Sequence, residues 1–200
     1  MKLNVLRPVV ALLFFMLCTP AAFAQMEMPA PSPAASVSQV VGFTKITIDY
    51  SSPGVKGREV FGELVPFGTP WRAGANAATT ISFTTPVKIG DKTLRPGTYS
   101  VFVTPVKDGN WQVHFNSKGN SVFSYMKDGK VDEDALMADN AAMVEATAAK
   151  SPLTMERLTY IISAEDNKLA TVHMLWADMM ASFKIDTQAE QLMKRFESAF

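Results

Sequence analysis

Cysteine is almost missing from this chain of 200 residues: there is one, Cys18, and it stands near the N-terminus. Histidine is nearly as scarce, with two residues, His114 and His173. A zinc site needs three or four His, Cys or acidic ligands in a recognisable cluster, and no such spacing occurs. Also missing are a Gly-x-Ser-x-Gly nucleophile turn and a Gly-rich phosphate loop after a strand. Asp132, Glu133 and Asp134 are the one run of carboxylates, and they read as a solvated charged stretch. Net charge of one sign is absent too, since 19 basic residues face 19 acidic ones. That balance gives no reason to expect nucleic acid or an anionic membrane as partner. Cofactors and metals are therefore expected to be none.

No hydrophobic run is long enough for a bilayer span of roughly twenty residues. A shorter one opens the chain. Lys2 and Arg7 precede an apolar stretch from Val9 to Leu17, and Ala22, Phe23 and Ala24 close it with a small-x-small pattern. This is the layout of a secretory signal peptide over 1–24, cleaved after Ala24, which predicts a periplasmic or secreted protein. The alternatives are a membrane anchor and a lipoprotein modified at Cys18, where Leu17 is bulkier than such cleavage prefers. Cleavage would remove the sole thiol. It would also take Lys2 and Arg7 from the 19 basic residues, leaving 17 against 19 acidic. No disulfide could then form, so burial alone must hold the domain, and about 150 residues suffice for that.

Residues 25–36 are rich in Pro, Ala and Ser and read as a stiff linker. From there to 186 the pattern alternates. Ile46, Ile48 and Tyr50 share one face of "TKITIDYS", and Tyr99, Val101 and Val103 share one face of "TYSVFV". In "NWQVHFN", Trp111, Val113 and Phe115 point inward, while Gln112, His114 and Asn116 point outward. Surface histidines are the expectation. Gly90-Asp91, Pro96-Gly97, Asp108-Gly109 and Asp166-Asn167 mark turns. "ASFKID" ends the series with Ala181, Phe183 and Ile185 together. The expected fold is mainly β: a single antiparallel β-sandwich or jelly-roll-like domain over 37–186, of about eight to ten strands. Asp132 to Ala138 should form a short turn or helix, followed by a strand with Val144, Ala146 and Ala148 on one face.

The tail, 187–200, reads as an amphipathic helix. Thr187 and Glu190 have capping-box spacing. Leu192, Phe196 and Phe200 form one stripe, to be laid on the sandwich or offered to a partner. Twelve methionines raise Cu(I), which thioether sulfur suits. Within the domain they are scattered without a Met-x-Met run, so core filling is the expectation.

The candidate site is the excursion from Tyr50 to Phe83, punctuated by Pro53, Gly54, Gly57, Gly62, Pro66, Gly68, Pro70 and Gly74. Long structured loops often carry function. Arg58, Trp71, Arg72 and Asn76 could converge there as a ligand-binding patch, with a guanidinium fork for carboxylate or phosphate and an indole face for stacking. The plainer alternative has Arg72 bonding backbone carbonyls and Trp71 plugging the end of the sandwich.

Three motifs are specific in combination: Val-Lys-Gly-Arg at Val55–Arg58, Trp-Arg-x-Gly-x-Asn at Trp71–Asn76, and Pro-Gly-Thr-Tyr-Ser at Pro96–Ser100. On them the chain resembles the bacterial domain-of-unknown-function family 2911, over roughly Ser36 to Thr187 and most strongly from Ile46 to Phe115. The resemblance implies an exported, mostly β domain with no established activity. Ala77 stands where members commonly carry Glu, which weakens the idea of a catalytic acid in that loop. The Ala- and Met-rich stretch after Asp134 also departs from the pattern. The expected function is an exported, non-enzymatic domain that binds a small ligand or an envelope protein. The rival is a hydrolase or isomerase with an Arg clamp and His114 as base, acting on an anionic or sugar substrate.

Overall fold

The computed structural model of the chain describes residues 28–199. The expected signal peptide, Cys18 and Phe200 lie outside them. Among the described residues no helix is long and apolar enough to cross a membrane.

The chain is mainly β and antiparallel. Its strands are β1 (Ala34–Val41), β2 (Thr44–Ser51), β3 (Thr80–Phe83), β4 (Val87–Ile89), β5 (Lys92–Leu94), β6 (Gly97–Thr104), β7 (Trp111–Asn116), β8 (Met126–Lys127), β9 (Lys130–Val131), β10 (Asn140–Glu165) and β11 (Leu169–Asp186). Nine of them form one continuous sheet in the order β1-β2-β3-β6-β7-β10-β11-β4-β5, and β8 with β9 make a small ribbon. Strand β1 begins at Ala34, inside the range expected to be linker.

Strands β10 and β11 make the sheet turn over. Residues Asn140 to Ala146 of β10 pair with β7, whereas Thr159 to Glu165 pair with the start of β11. Register shifts between Lys150 and Thr159 bend the strand, as bulges do. The hairpin turns through Asp166, Asn167 and Lys168; the first two have positive φ, and the Lys168 amide donates to Glu165 O at 3.0 Å, a local twist that suits a hairpin.

The curled sheet encloses one apolar face. Tyr50 of β2 meets Tyr160 of β10 edge-on at 4.8 Å. Phe115 of β7 meets Phe183 of β11 at 5.7 Å and 77°. The alternation predicts these faces well: Ile46, Ile48, Val101, Trp111, Phe115, Ala146 and Ile185 are all buried. Each large side chain so covered contributes about 1.5–3 kcal/mol.

The segment between β7 and β10 covers part of the other face. It contains a 3-10 turn (Val122–Tyr125), the β8–β9 ribbon and α1 (Glu133–Ala138). Asp132 caps α1, its Oδ1 accepting from the Ala135 amide at 3.1 Å. Val122, Tyr125 and Leu136 pack there against Phe102, which is fully buried although it points away from the main core.

The C-terminal helix α2 (Ala189–Glu197) forms as expected, but the capping box does not. Gln188 is the N-cap, in a left-handed conformation with no side-chain cap bond. Thr187 Oγ1 instead donates to the Lys168 carbonyl at 2.7 Å, and Glu190 pairs with Lys168 Nζ. Both side chains thus anchor the helix start to the β10–β11 turn. No side chain of α2 is fully buried: Leu192 is half-covered and Phe196 is 64% exposed.

Candidate functional site

The excursion between β2 and β3 is sewn to the sheet along its length. Its first residues pair with β10: the Val55 amide donates to Glu156 O at 2.7 Å and the Leu158 amide to Pro53 O at 3.0 Å. Its last part pairs with β6, where Trp71 and Val103 exchange two 2.8 Å bonds. Ala73 is buried, and its carbonyl accepts from the Thr79 hydroxyl at 3.0 Å and the Tyr160 hydroxyl at 2.8 Å. A side chain at Gly74 would meet Thr79 Oγ1 at 2.5 Å, so the chain passes there only as glycine.

This frame sends the four expected site residues to different places. Trp71 points into the core side. Its indole stacks on Trp176 at 5.5 Å and 21°, and its Nε1 donates to Gly74 O at 3.1 Å. Arg72, the next residue, points to the opposite face, as alternation along an extended segment requires. Its guanidinium carbon sits 5.1 Å from the centre of the Phe123 ring, a cation–π contact. Arg72 Nε is buried without an acceptor among the described residues, and burial lowers the guanidinium pKa from its ordinary value. Asn76 bonds the strand-side approach to β1, its Nδ2 donating to Ser32 O at 3.0 Å.

Arg58 performs the role considered for Arg72. Its Nε donates to Val55 O at 3.0 Å and its Nη2 to Gly54 O at 2.6 Å, closing the loop on itself. Among the described residues those two bonds leave Nη1 uncommitted. Arg58 also lines a cavity of about 400 Å3 beside Phe61, Phe67, Lys107, Trp111 and Asp178. Phe61 is the hinge of an aromatic cluster, with its ring 4.6 Å from Trp111, 6.4 Å from Trp71 and 6.0 Å from Trp176. Ala177, also on the wall, has a φ of 53° at the irregular stretch of β11. Arg58 and Trp71 therefore belong to one side of the sheet, the first lining the cavity and the second backing it. Arg72 and Asn76 do not join them. Phe61, Phe67 and Lys107 escaped sequence reading because nothing in their spacing sets them apart from ordinary loop residues.

The expectation of surface histidines is corrected. His114 points away from the main core, as expected, yet is 2% exposed because the segment after β7 folds over it. Its Nδ1 lies 3.0 Å from Asn140 Nδ2 and its Nε2 lies 3.0 Å from Thr104 Oγ1. An amide donor facing Nδ1 places the ring proton on Nε2, which donates to Thr104. Desolvation depresses the His114 pKa to about 4, so the ring is neutral. Trp111, which lines the cavity, and His114 lie on opposite faces of β7. His173 is half-buried between the hydroxyls of Ser182 at 2.8 Å and Ser163 at 3.2 Å.

The methionines are corrected as well. Met174 alone is fully buried among the described residues, while Met126, Met137, Met143 and Met193 are each more than two-fifths exposed. No group of three or more His, Cys, Asp or Glu side chains gathers in metal-binding fashion among the described residues.

A family model described as "Protein of unknown function (DUF2911)" matches residues 32–185. No curated protein and no solved structure matches the chain.

Proposed function

The chain belongs to that family of proteins of unknown function, and on this premise we propose that it is an exported, non-enzymatic binding protein whose ligand enters the cavity between Arg58 and Lys107. Export rests on the charged, apolar and small-residue order of residues 1–24. The ligand is a small molecule with a flat or apolar body and a carboxylate or phosphate group. The body lies against Phe61 and Phe67, with the buried Trp111 behind them, where rings supply contact area with little conformational freedom to lose. The anionic group meets Arg58 Nη1 and Lys107 Nζ.

One observation carries this reading: a guanidinium already immobilised by two carbonyls keeps part of its donor fork free at the mouth of an aromatic cavity. Orienting it for a ligand costs little, which is the advantage of preorganisation. The rival hydrolase reading required His114 in the same pocket. That ring stands on the other face of β7 from Trp111, with both nitrogens engaged.

Tryptophan fluorescence titrations with a panel of aromatic carboxylates and sugar phosphates test the proposal. A ligand of this class should quench the Trp111 region and saturate. Phe67→Ala, at a rim position 37% exposed, should abolish the response without moving the unfolding midpoint. Lys107→Ala should weaken binding of the anionic compounds alone. A panel without saturable quenching, or variants that bind as the parent does, would overturn it.

A further inference from the structure

A second constellation lies on the opposite face of the sheet and owes nothing to the cavity. The β7–β10 register sets Met143 directly across from His114. Ala142 is buried and Val144 packs against the main core, so Met143 points to the same outer face as His114. Side chains directly opposite each other in an antiparallel pair have Cβ atoms about 4.5–5.5 Å apart. Asn140 approaches from the same strand, beyond a register shift. Its Nδ2 lies 3.0 Å from His114 Nδ1 and also 3.2 Å from Met137 Sδ. One amide nitrogen thus separates a thioether from an imidazole nitrogen.

Two features make that amide replaceable. Asn140 Oδ1 is buried with no partner among the described residues, so there the amide is held by its donor end only. Met137 and Met143 are 44% and 42% exposed, so their sulfurs can turn without opening the core. The imidazole is ready as a ligand: its Nδ1 lone pair already accepts a bond, and the Nε2–Thr104 contact at 3.0 Å fixes the ring. An outer partner of this kind orients metal-bound histidine generally.

We propose that Met137 Sδ, Met143 Sδ and His114 Nδ1 form a Cu(I) site, with the Asn140 side chain swung aside. Two thioethers and an imidazole are a soft, uncharged donor set. Such a set favours Cu(I) and its redox-inert surrogate Ag(I), and offers little to zinc, magnesium or calcium, which favour imidazole–thiolate or oxygen ligands. Asp139, next to Asn140 in the chain, is engaged through Oδ2 by the Tyr125 hydroxyl at 2.8 Å.

The test is anaerobic titration of the protein with Cu(I) delivered as its bicinchoninate complex, alongside Ag(I) titrations followed through the methionine methyl signals by NMR. One Cu(I) per chain should leave the chelator. Ag(I) should move the Met137 and Met143 methyl signals and leave Met193 in place. Met137→Leu and Met143→Leu, near-isosteric at half-exposed positions, should each return the metal to the chelator. Retention of Cu(I) by the double variant, or Ag(I) shifts spread evenly over exposed methionines, would overturn the proposal.

Discussion

The Ala73 carbonyl is the point on which the loop between β2 and β3 is pinned, and removing its two donors in turn measures that pin. Thr79 Oγ1 and the Tyr160 hydroxyl both donate to it, and all three residues are buried. Tyr160→Phe removes the bond to Ala73, together with the weak 3.4 Å contact of the same hydroxyl to Met174 Sδ, and keeps the ring against Tyr50. The carbonyl still has Thr79, so the loss is about 1 kcal/mol, the net worth of one hydrogen bond. Thr79→Val keeps the shape and costs about the same, for the same reason. The double variant differs in kind, because it leaves a buried carbonyl with neither hydroxyl donor. An orphaned buried acceptor adds roughly 1–3 kcal/mol of desolvation. The double variant should therefore lose more than the two single losses together, by at least about 1 kcal/mol. Independent sites add within about 0.5 kcal/mol. Urea unfolding at constant m-value reads all four corners of the cycle. Additivity within that margin would mean that the carbonyl does not pin the loop, and the placement of Trp71 and Arg72 on opposite faces would lose its support.

Two other outcomes follow from buried polar groups. His114 titrates near 4 when folded and near 6.5 when unfolded, so the unfolded chain takes up the proton first as the solution is acidified. Its contribution is complete above the unfolded value and is lost as pH falls from about 6.5 through about 4, amounting to roughly 3 kcal/mol at most. His114→Gln should flatten that part of the stability profile in urea unfolding, and an unchanged slope would assign the loss to other groups. Gln188 combines a φ of 51° with a buried Nε2 that has no partner among the described residues. Gln188→Gly should raise stability by about 1 kcal/mol, since glycine accepts the left-handed conformation freely. A fall in the thermal midpoint would show that the strain is not there.

Much of the fold was legible because alternation is a local property. A strand with one face in the core must repeat every second residue, so Ile46, Ile48, Tyr99, Val101, Trp111, Val113 and Phe115 declare themselves without knowledge of their partners. Gly-Asp and Asp-Asn pairs place hairpins for an equally local reason. The motif residues were visible as unusual, but not their destinations. Trp71 and Arg72 are neighbours in sequence and point to opposite faces. Arg58 and Trp111 are distant in sequence and line one cavity.

By itself the sequence determined a mainly β antiparallel chain, the inward residues of its strands, a short turn or helix near Asp132 to Ala138 and the amphipathic tail. Only the tertiary structure decided that nine strands join in one sheet curled about a main core, with a smaller cluster around Phe102 on its outer face. It alone decided that an outward-facing His114 lies covered, that Thr187 and Glu190 hold a turn rather than cap a helix, and that methionines expected inside stand near the surface. The reason is physical. Periodicity reports which face of an element a side chain occupies, whereas burial, hydrogen-bond partners and pKa depend on what another part of the chain lays over that face.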